Sequence, residues 1–424
     1  MFRAAAVRVG PYTQMWHEND ESRLLAAFTN GHFQEFIIRT AEFYNWLGAR
    51  PGSGEISDDE IEVRRYEADA REVAERLDLL GFDLNSSLRA WEGGIAAHAD
   101  YLAENGRDSE SVAIGSMGGP QWLSNLSQIA DHAPVSPFSS NPYRKPLPGS
   151  PEWLIRLAQF AFDPLLETRL VVAAFPRAKV AVDVTTAYWA WVGDDDGPHA
   201  AAKLNELRRA GSLFSPVVVL TEGRTDAEFL TAGLSILYPH LVDLVKFLDF
   251  EQKNDGGAGA LVRLVKSFAA AGIANRTVAI FDNDSAATDA LRPLDLRRLP
   301  STIRILRYPD LPLASSYPTI GPPSLANPEG GTVLANVNGL AGSIEMYLGS
   351  DVLLDCEGVL SPVRWGSLIP AIGSYQGEIA NKADVHRRFR EKVAAAKENP
   401  SIIATQDWSG VREILQTIMG AFTA

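Results

Sequence analysis

The chain has 424 residues, with 46% hydrophobic and 22% charged side chains. That is the composition of an ordinary globular protein, long enough for two or three domains. No run of roughly eighteen apolar residues occurs, so no membrane-crossing helix is expected. The opening MFRAAAVRVGPYTQ is broken by Arg8 and Pro11 and lacks the apolar core of a signal peptide. One cysteine, Cys356, excludes an internal disulfide and fits a reducing cytoplasm. The net charge of −14 excludes a generally basic surface as the source of nucleic-acid affinity. Such binding would need a local basic strip, a metal or a partner.

In chain order, residues 2–9 read as a strand, and 23–47 carry helical spacing with Phe28, Phe33, Phe36 and Phe43 on a core face. The acidic stretch 55–67 reads as a solvated loop or strand edge. Residues 68–80 are amphipathic, with Val73, Leu77 and Leu80 on one face and Gly81 as a C-terminal stop. Helices are expected over 86–98 and from about Pro120 towards 129. Residues 133–151 (APVSPFSSNPYRKPLPGSP) are too rich in proline for a helix or central strand and read as a linker. A short helix over 153–162, short strands over 169–174 and 180–183, and a helix over 200–210 follow. The run Asp194-Asp195-Asp196 between glycines reads as an exposed turn, since no calcium-loop spacing follows it.

Residues 217–220 (VVVL) and 278–281 (VAIF) are apolar runs, each ending in acidic residues and each followed by a helical segment. Strands buried on both faces read this way, and their alternation with helices predicts βαβ units on a parallel sheet. A further strand is expected over 244–250, and a fourth over 303–308 (IRILRY). Ligands of such sheets bind outside the carboxyl ends of the strands. Glu222, Asp226, Asp282 and Asp284 would all fall at that edge. Gathered carboxylates repel one another unless a cation sits among them, and hard oxygen ligands suit Mg²⁺ or Mn²⁺. Each motif alone has a plainer explanation: EGRTD is also an acidic helix start, where carboxylates are favoured anyway, and DND is a common turn. Beyond 308, residues 309–331 read as a long proline- and glycine-rich loop. Residues 338–348 read as helical at their end, and two C-terminal helices are expected over 382–395 and 409–421.

The order EGxxD then DxD, each behind a strand, resembles the Toprim domain of topoisomerases, primases and certain nucleases. Here the motifs are Glu222-Gly223-Arg224-Thr225-Asp226 and Asp282-Asn283-Asp284. Longer strings carry a second resemblance: AREVAERLDLLGFDL, ILYPHLVDLVKFLDF, GGAGALVRLVKSFAAAGIANRTVAIFDND and VNGLAGSIEMYL. They are similar to HEPN/Toprim-associated proteins, in which one N-terminal domain type precedes either a HEPN or a Toprim effector. The resemblance covers most of the chain and is strongest over 217–348. It implies an α/β fold: a Toprim-type, Rossmann-like parallel sheet flanked by helices, preceded by an α+β N-terminal domain and followed by C-terminal helices. The expected boundaries are 1–132, a connecting region 133–215, the Toprim domain 216–348 and a helical extension 349–424. It also implies a role as an anti-phage or conflict-system effector. A HEPN ribonuclease needs an arginine and a histidine four to six residues apart, and none of the seven histidines has that neighbour.

Elimination narrows the chemistry the resemblance implies. A single cysteine cannot build the zinc cluster of Toprim primases and recombination mediators. The chain looks too short for a topoisomerase gate, and core or loop packing explains Tyr317, Tyr347 and Tyr375 better than nucleophilic roles. No GxxxxGK[ST] motif supplies an ATPase. What remains is a metal-dependent Toprim nuclease, on DNA in preference to RNA, served by a separate ATPase or sensor protein. The alternatives are a partner-activated or non-catalytic binding module and an RNA-cleaving enzyme. Asp282 and Asp284 are the expected metal ligands, with Glu222 a ligand or general base and Asp226 a ligand or anchor. The resemblance to nucleases of the OLD type adds Glu345 by context and Lys382 as a cation near the phosphate; a solvated helix glutamate and an exposed lysine are the plain alternatives. The loop 253–259 (KNDGGAG), with Lys253, leads into a helix bearing Arg263 and Lys266; it can hold a nucleic-acid backbone or be a plain turn. Asp249 is a weaker candidate for the acidic edge. Arg292, Arg297, Arg298, Arg304 and Arg307 form a basic concentration that can track a strand or be ordinary solvated charge. The sequence leaves the oligomeric state open, a homo-oligomer included.

Overall fold

A computed structural model describes residues 4–17, 21–47, 59–129, 146–158, 162–185, 198–248, 256–321 and 331–423. The chain divides into two compact units, one from Met1–Phe214 and one from Ser215–Phe422.

The first unit is α+β. Strands β1 (Ala4–Val9), β2 (Tyr12–His17), β3 (Phe33–Arg39), β4 (Glu60–Asp69) and β5 (Lys179–Asp183) form an antiparallel sheet in the order β2-β1-β5-β4-β3. The expected connecting region 133–215 thus supplies a strand between β1 and β4, and residues 130–145 lie outside the described part. The helix foreseen over 68–80 runs Ala70–Leu79 and stops before Gly81, whose φ of 91° suits only glycine without strain. The long helix Leu84–Glu104 is capped by Asp83, which accepts from the N–H groups of Asn85 and Ser86. The helix Gly119–Gln128 opens with Pro120 in its first turn, as expected.

Three expectations for this unit are corrected. Residues 33–39 are strand, not helix, because Phe33 to Arg39 pairs in register with β4 along its whole length. The acidic stretch is not loop from residue 60 onward; β4 lies inside the sheet, and its buried arginines are neutralised across neighbouring strands. Arg64 Nε donates to Glu35 at 2.8 Å, and Arg65 donates to Asp183 at 3.2 Å while stacking over Trp46 at 3.7 Å. Residues 169–174 are helix, not strand. Asp163 accepts from Leu165 N and Pro164 occupies the first turn, so a cap and a proline start Pro164–Ala174 and override the β-branched pair Val171-Val172. The run Asp194–Asp196 lies outside the described residues.

The second unit carries the parallel sheet. Strands β6 (Val217–Leu220), β7 (Val245–Phe247) and β8 (Thr277–Phe281) fall where the apolar runs predicted them. The two-residue strand β9 (Asn283–Asp284) follows β8, and β10 is Ile303–Arg307. The sheet order is β10-β8-β6-β7, and every pairing is parallel. The order therefore reverses between β6 and β8, the topological switch point at which such sheets open a crevice for ligands. Every residue of β8 is buried. Leu220, Ala279, Phe281 and Ala287 pack with Leu261 and Val265 of the helix Ala258–Ala271. Truncating Phe281 to alanine in such a core costs about 3–5 kcal/mol.

The expected long loop after β10 holds a 3₁₀ turn at Leu313–Ser316 and strand β11 (Tyr317–Ile320); residues 322–330 lie outside the described part. Strand β12 (Thr332–Ala335) pairs with β11, and β13 (Ala341–Gly342) pairs with β9. The region expected to be a purely helical extension contributes β14 (Val363–Ile369) and β15 (Ser374–Ile379) before its helices Lys382–Glu398 and Ser409–Met419. The second sheet runs β12-β11-β14-β15. Among the described residues, no helix is long and apolar enough to cross a membrane.

Candidate functional site

The crevice at the β6/β8 switch point is built from strand ends. Strand β6 ends at Leu220 and the helix Arg224–Leu237 begins four residues later, leaving Glu222 at the carboxyl edge. Its Oε1 accepts from the backbone N–H of Asp282 at 2.9 Å, so the Glu222 side chain reaches across to the end of β8. Asp226, buried in the first turn of the helix, turns back and accepts from Gly223 N at 2.9 Å. The helix Ala258–Ala271 presents its N-terminus to the same place: Gly257, with φ of 94°, donates its N–H to Glu222 O at 2.9 Å.

The DND motif divides its labour. Asp282 Oδ1 is sealed from solvent and has no hydrogen-bond partner. Asn283 donates to Asp310 at 2.7 Å. Asp284 caps the helix Ser285–Leu291 through Ala287 N at 2.7 Å, and its other oxygen accepts from Gln376 Nε2 at 2.6 Å. Each Asp284 oxygen is therefore already committed once, whereas Asp282 keeps an oxygen with nothing to accept from. Pairing of β9 with β13 draws the Glu345 segment against this motif, and it demands glycine at 342, since a Cβ there would lie 2.7 Å from Asn283 O.

The electrostatics follow from this crowding. Burial pushes Glu222 up to about 7, with Asp284 and Asp226 adding repulsion. Asp226 is likewise raised by burial to about 7, with Glu345 adding to the rise. Asp282 is pushed well above the carboxylate range by burial and then by Asp226, Glu222, Asp284 and Glu345. Tyr308 lies in the same neighbourhood, fully enclosed, and its hydroxyl is raised by burial and by Asp226, Asp282 and Glu222. Glu345 behaves oppositely. Burial alone would raise it, but bonds from His386 Nε2 at 2.8 Å and Ser343 Oγ at 2.6 Å, with Lys382 Nζ 3.8 Å away, hold it at about 2.

Glu222, Asp226, Asp282, Asp284, Glu345 and Lys382 thus share one electrostatic neighbourhood, linked by the contacts and mutual charge effects just described. Among the described residues, however, no three His, Cys, Asp or Glu side chains form a ready-made group for one ion. Mg²⁺ characteristically takes one or two carboxylates and completes its shell with waters and substrate phosphate. The orphaned Asp282 oxygen and the mutually raised carboxylates fit that mode. Lys253 and Asp249 lie outside the described residues. Arg263 and Lys266 are exposed on the helix whose first turn meets Glu222. The basic concentration is not one track: Arg304 stacks on Phe422 at 5.2 Å, and Arg292 donates to Ala371 O.

Three residues escaped the sequence, and a fourth, Arg307, was read there only as part of the basic concentration. Arg307, at the end of β10, donates to the carbonyls of Asp282 and Asp284 at 3.3 and 2.9 Å, and it is the cation nearest Glu222 in effect. A basic residue at the carboxyl end of a parallel strand was a signal of the same kind that marked the acids. Gln376 both donates to Asp284 and accepts from Ala286 N at 2.9 Å. His386 holds Glu345 and packs edge-on against Phe229 at 5.1 Å. Tyr308 forms part of the enclosed floor. Gln376 and His386 come from segments whose approach only the tertiary fold determines, whereas Tyr308 directly follows β10. No family model matches the chain, and neither a curated protein nor a solved structure is significantly similar to it.

Proposed function

We propose that the second unit is a metal-dependent nuclease of Toprim type that hydrolyses phosphodiester bonds, in DNA by preference. One observation carries this: at a sheet's switch point, Glu222, Asp226 and Asp282 are packed so that burial and mutual charge disfavour their ionised forms, while a sealed Asp282 oxygen lacks any donor. Such a cluster is relieved by a divalent cation. Asp282 and Glu222 would hold Mg²⁺ or Mn²⁺, with Asp226 beside them and Asp284 anchoring the loop as the cap of the next helix. The bound ion would supply positive charge at the phosphate and a water acidified towards neutral pH.

The chain's own groups divide the remaining work. Glu222 takes one of two roles: a ligand of the ion, or, where Asp282 and Asp226 hold the ion, a general base, for which its carboxyl, raised by burial to about 7 in the metal-free protein, is suited. Glu345, ionised down to about 2, is too weak a base for that; it is a positioning residue that orients Lys382 and His386. Lys382 offers its ammonium to charge developing on the phosphate. Arg307 fixes the backbone of the DND loop through two carbonyls. A second reading, a site completed by a partner protein, is favoured by the lack of a converged three-ligand group among the described residues. The anti-phage role and a separate ATPase or sensor partner belong to the same proposal and rest on the sequence resemblance.

The test is cleavage of plasmid DNA, single-stranded DNA and structured RNA with Mg²⁺ or Mn²⁺, with wild type beside Glu222→Ala and Asp282→Ala. Metal-dependent cutting should fall roughly a hundredfold or more in both variants. Folded wild type that binds metal yet cuts none of the three would sink the stand-alone nuclease and favour the partner-completed site.

A further inference from the structure

A groove of about 690 Å³ runs along the helix Arg224–Leu237, between it and the helix Lys382–Glu398, with Phe247 of edge strand β7 in its lining. Both helices start at the acidic crevice: Asp226 is in the first turn of one, and Lys382, the first residue of the other, reaches Glu345. From Arg224 to Ser235 the lining follows one helix for eleven steps, about 16 Å at 1.5 Å per residue. Its charged lining residues are Arg224, Arg390 and Lys397 against Glu228 alone. On a chain of net charge −14 this is a local basic strip. Arg390 is fixed in place by two bonds to Glu228, at 2.7 and 3.1 Å, and by Phe229 beneath its guanidinium at 5.3 Å. Phe229 also packs against His386, which holds Glu345, so the groove wall is continuous with the crevice.

We propose that this groove is the track on which a single strand of nucleic acid is led to the acidic crevice, its phosphates passing Lys397, Arg390 and Arg224 in turn. The proposal rests on the nuclease reading. A carboxylate crevice repels a polyanion, so approach must come from a flank that is cationic, and this groove is such a flank, its lining beginning at Arg224, two residues from Glu222. Its length suits successive phosphates rather than one mononucleotide. A groove with a floor of Phe247 and Val393 also lets bases lie against apolar surface while the backbone follows the cations.

The experiment is fluorescence anisotropy of labelled 20-nucleotide DNA and RNA strands on the full chain in EDTA, where nothing is hydrolysed. Arg390→Gln/Lys397→Gln should weaken binding about tenfold or more at low salt. It should also flatten the slope of log K against log salt by about 1.4, two phosphate contacts at 0.7 each. Circular dichroism and Mn²⁺ binding should stay as in wild type, since neither side chain belongs to the crevice. Unchanged strand affinity in the double variant overturns the track even if wild type cleaves nucleic acid with metal. Displacement of the strand by dAMP, AMP or polyglutamate at equal anion concentration overturns it too, in favour of a free nucleotide or an acidic peptide. Wild type that neither binds a strand nor cuts one removes both the track and the nuclease.

Discussion

Neutralising one buried acid should make the metal-free protein more stable, and only above a particular pH. Asp226 is 7% exposed, and its carboxyl is raised from 3.8 to about 7, chiefly by burial. That is a shift of about 3 units, or about 4 kcal/mol at 1.36 kcal/mol per unit. In the unfolded chain Asp226 gives up its proton near pH 4, while in the fold it keeps it to about 7. The fold therefore binds more protons across that window, and stability falls as pH rises from about 4 to 7 and stays low above it. Asp226→Asn retains an oxygen for Gly223 N–H and removes the charge. Because Glu222 and Asp282 share the repulsion, the gain is less than the sum of single shifts, roughly 2–4 kcal/mol at pH 8 and close to zero at pH 4. Two compact units make a single global unfolding midpoint ambiguous. Hydrogen exchange of peptides covering β6 and β8, in urea and EDTA and corrected for intrinsic rates, isolates the relevant unit. Protection that is flat or rising from pH 5 to 8 in wild type, or lower in Asp226→Asn than in wild type at pH 8, would refute the assignment of a strained carboxylate cluster.

Mg²⁺ or Mn²⁺ at a hundred times its Kd should restore about 2.7 kcal/mol to the metal-free protein at pH 8, and Asp282→Asn should abolish that gain, both read by the same exchange experiment. Glu345 carries the opposite sign: held at about 2 against 4.5 unfolded, it contributes about 3 kcal/mol at neutral pH that disappears as pH falls from about 4.5 through 2. Glu345→Gln should therefore lower the urea midpoint of the second unit at pH 7 and leave it unchanged near pH 2. Lys392 donates to Leu348 O at 3.0 Å, to Asp351 at 2.8 Å and to Asp407 O, tying the end of the Glu345 segment to the C-terminal helices. Lys392→Met should cost about 3–5 kcal/mol by thermal unfolding, because three acceptors lose a buried cation.

How much of this could be seen beforehand depended on how local the cause was. Strands β6 and β8 announce themselves because strands buried on both faces must be apolar throughout, and the acids follow immediately in the chain. The helix start at Gly119–Gln128 and the stop at Gly81 are likewise local chemistry, a proline and a left-handed glycine. Strand β4 was illegible because its buried charges read as solvent-facing until their partners are known. Arg65 is acceptable inside the sheet only because Asp183, 118 residues away, lies beside it and Trp46 covers it. Helical spacing over 23–47 holds for Thr40–Leu47 and fails over 33–39 for a related reason: Phe33, Phe36, Ile37 and Ile38 satisfy either period, and pairing with β4 decides between them. In the crevice, the identities of the acids were local, but the residues that hold them were not. Gln376 and His386 come from β15 and the following helix, and nothing in YQGEI or DVHRRF signals a carboxylate 92 or 41 residues away.

The contrast between Asp284 and Glu345 on one side and Glu222, Asp226 and Asp282 on the other explains why the site holds together at all. Glu345 and Asp284 are fully provided with donors: His386, Ser343 and Lys382 for one, Ala287 N and Gln376 for the other. Those two are held by donors on both oxygens and act as posts. Glu222, Asp226 and Asp282 have one backbone donor or none, and the cations near them do not offset their burial. Were all five satisfied, a cation would have to break bonds to enter; were all five bare, the loops carrying them would separate under repulsion. Splitting the cluster into anchored and unanchored carboxylates gives a rigid crevice that still favours a positive charge. That division predicts that substitutions at the posts register first in stability, and that substitutions at the other three register first in metal affinity.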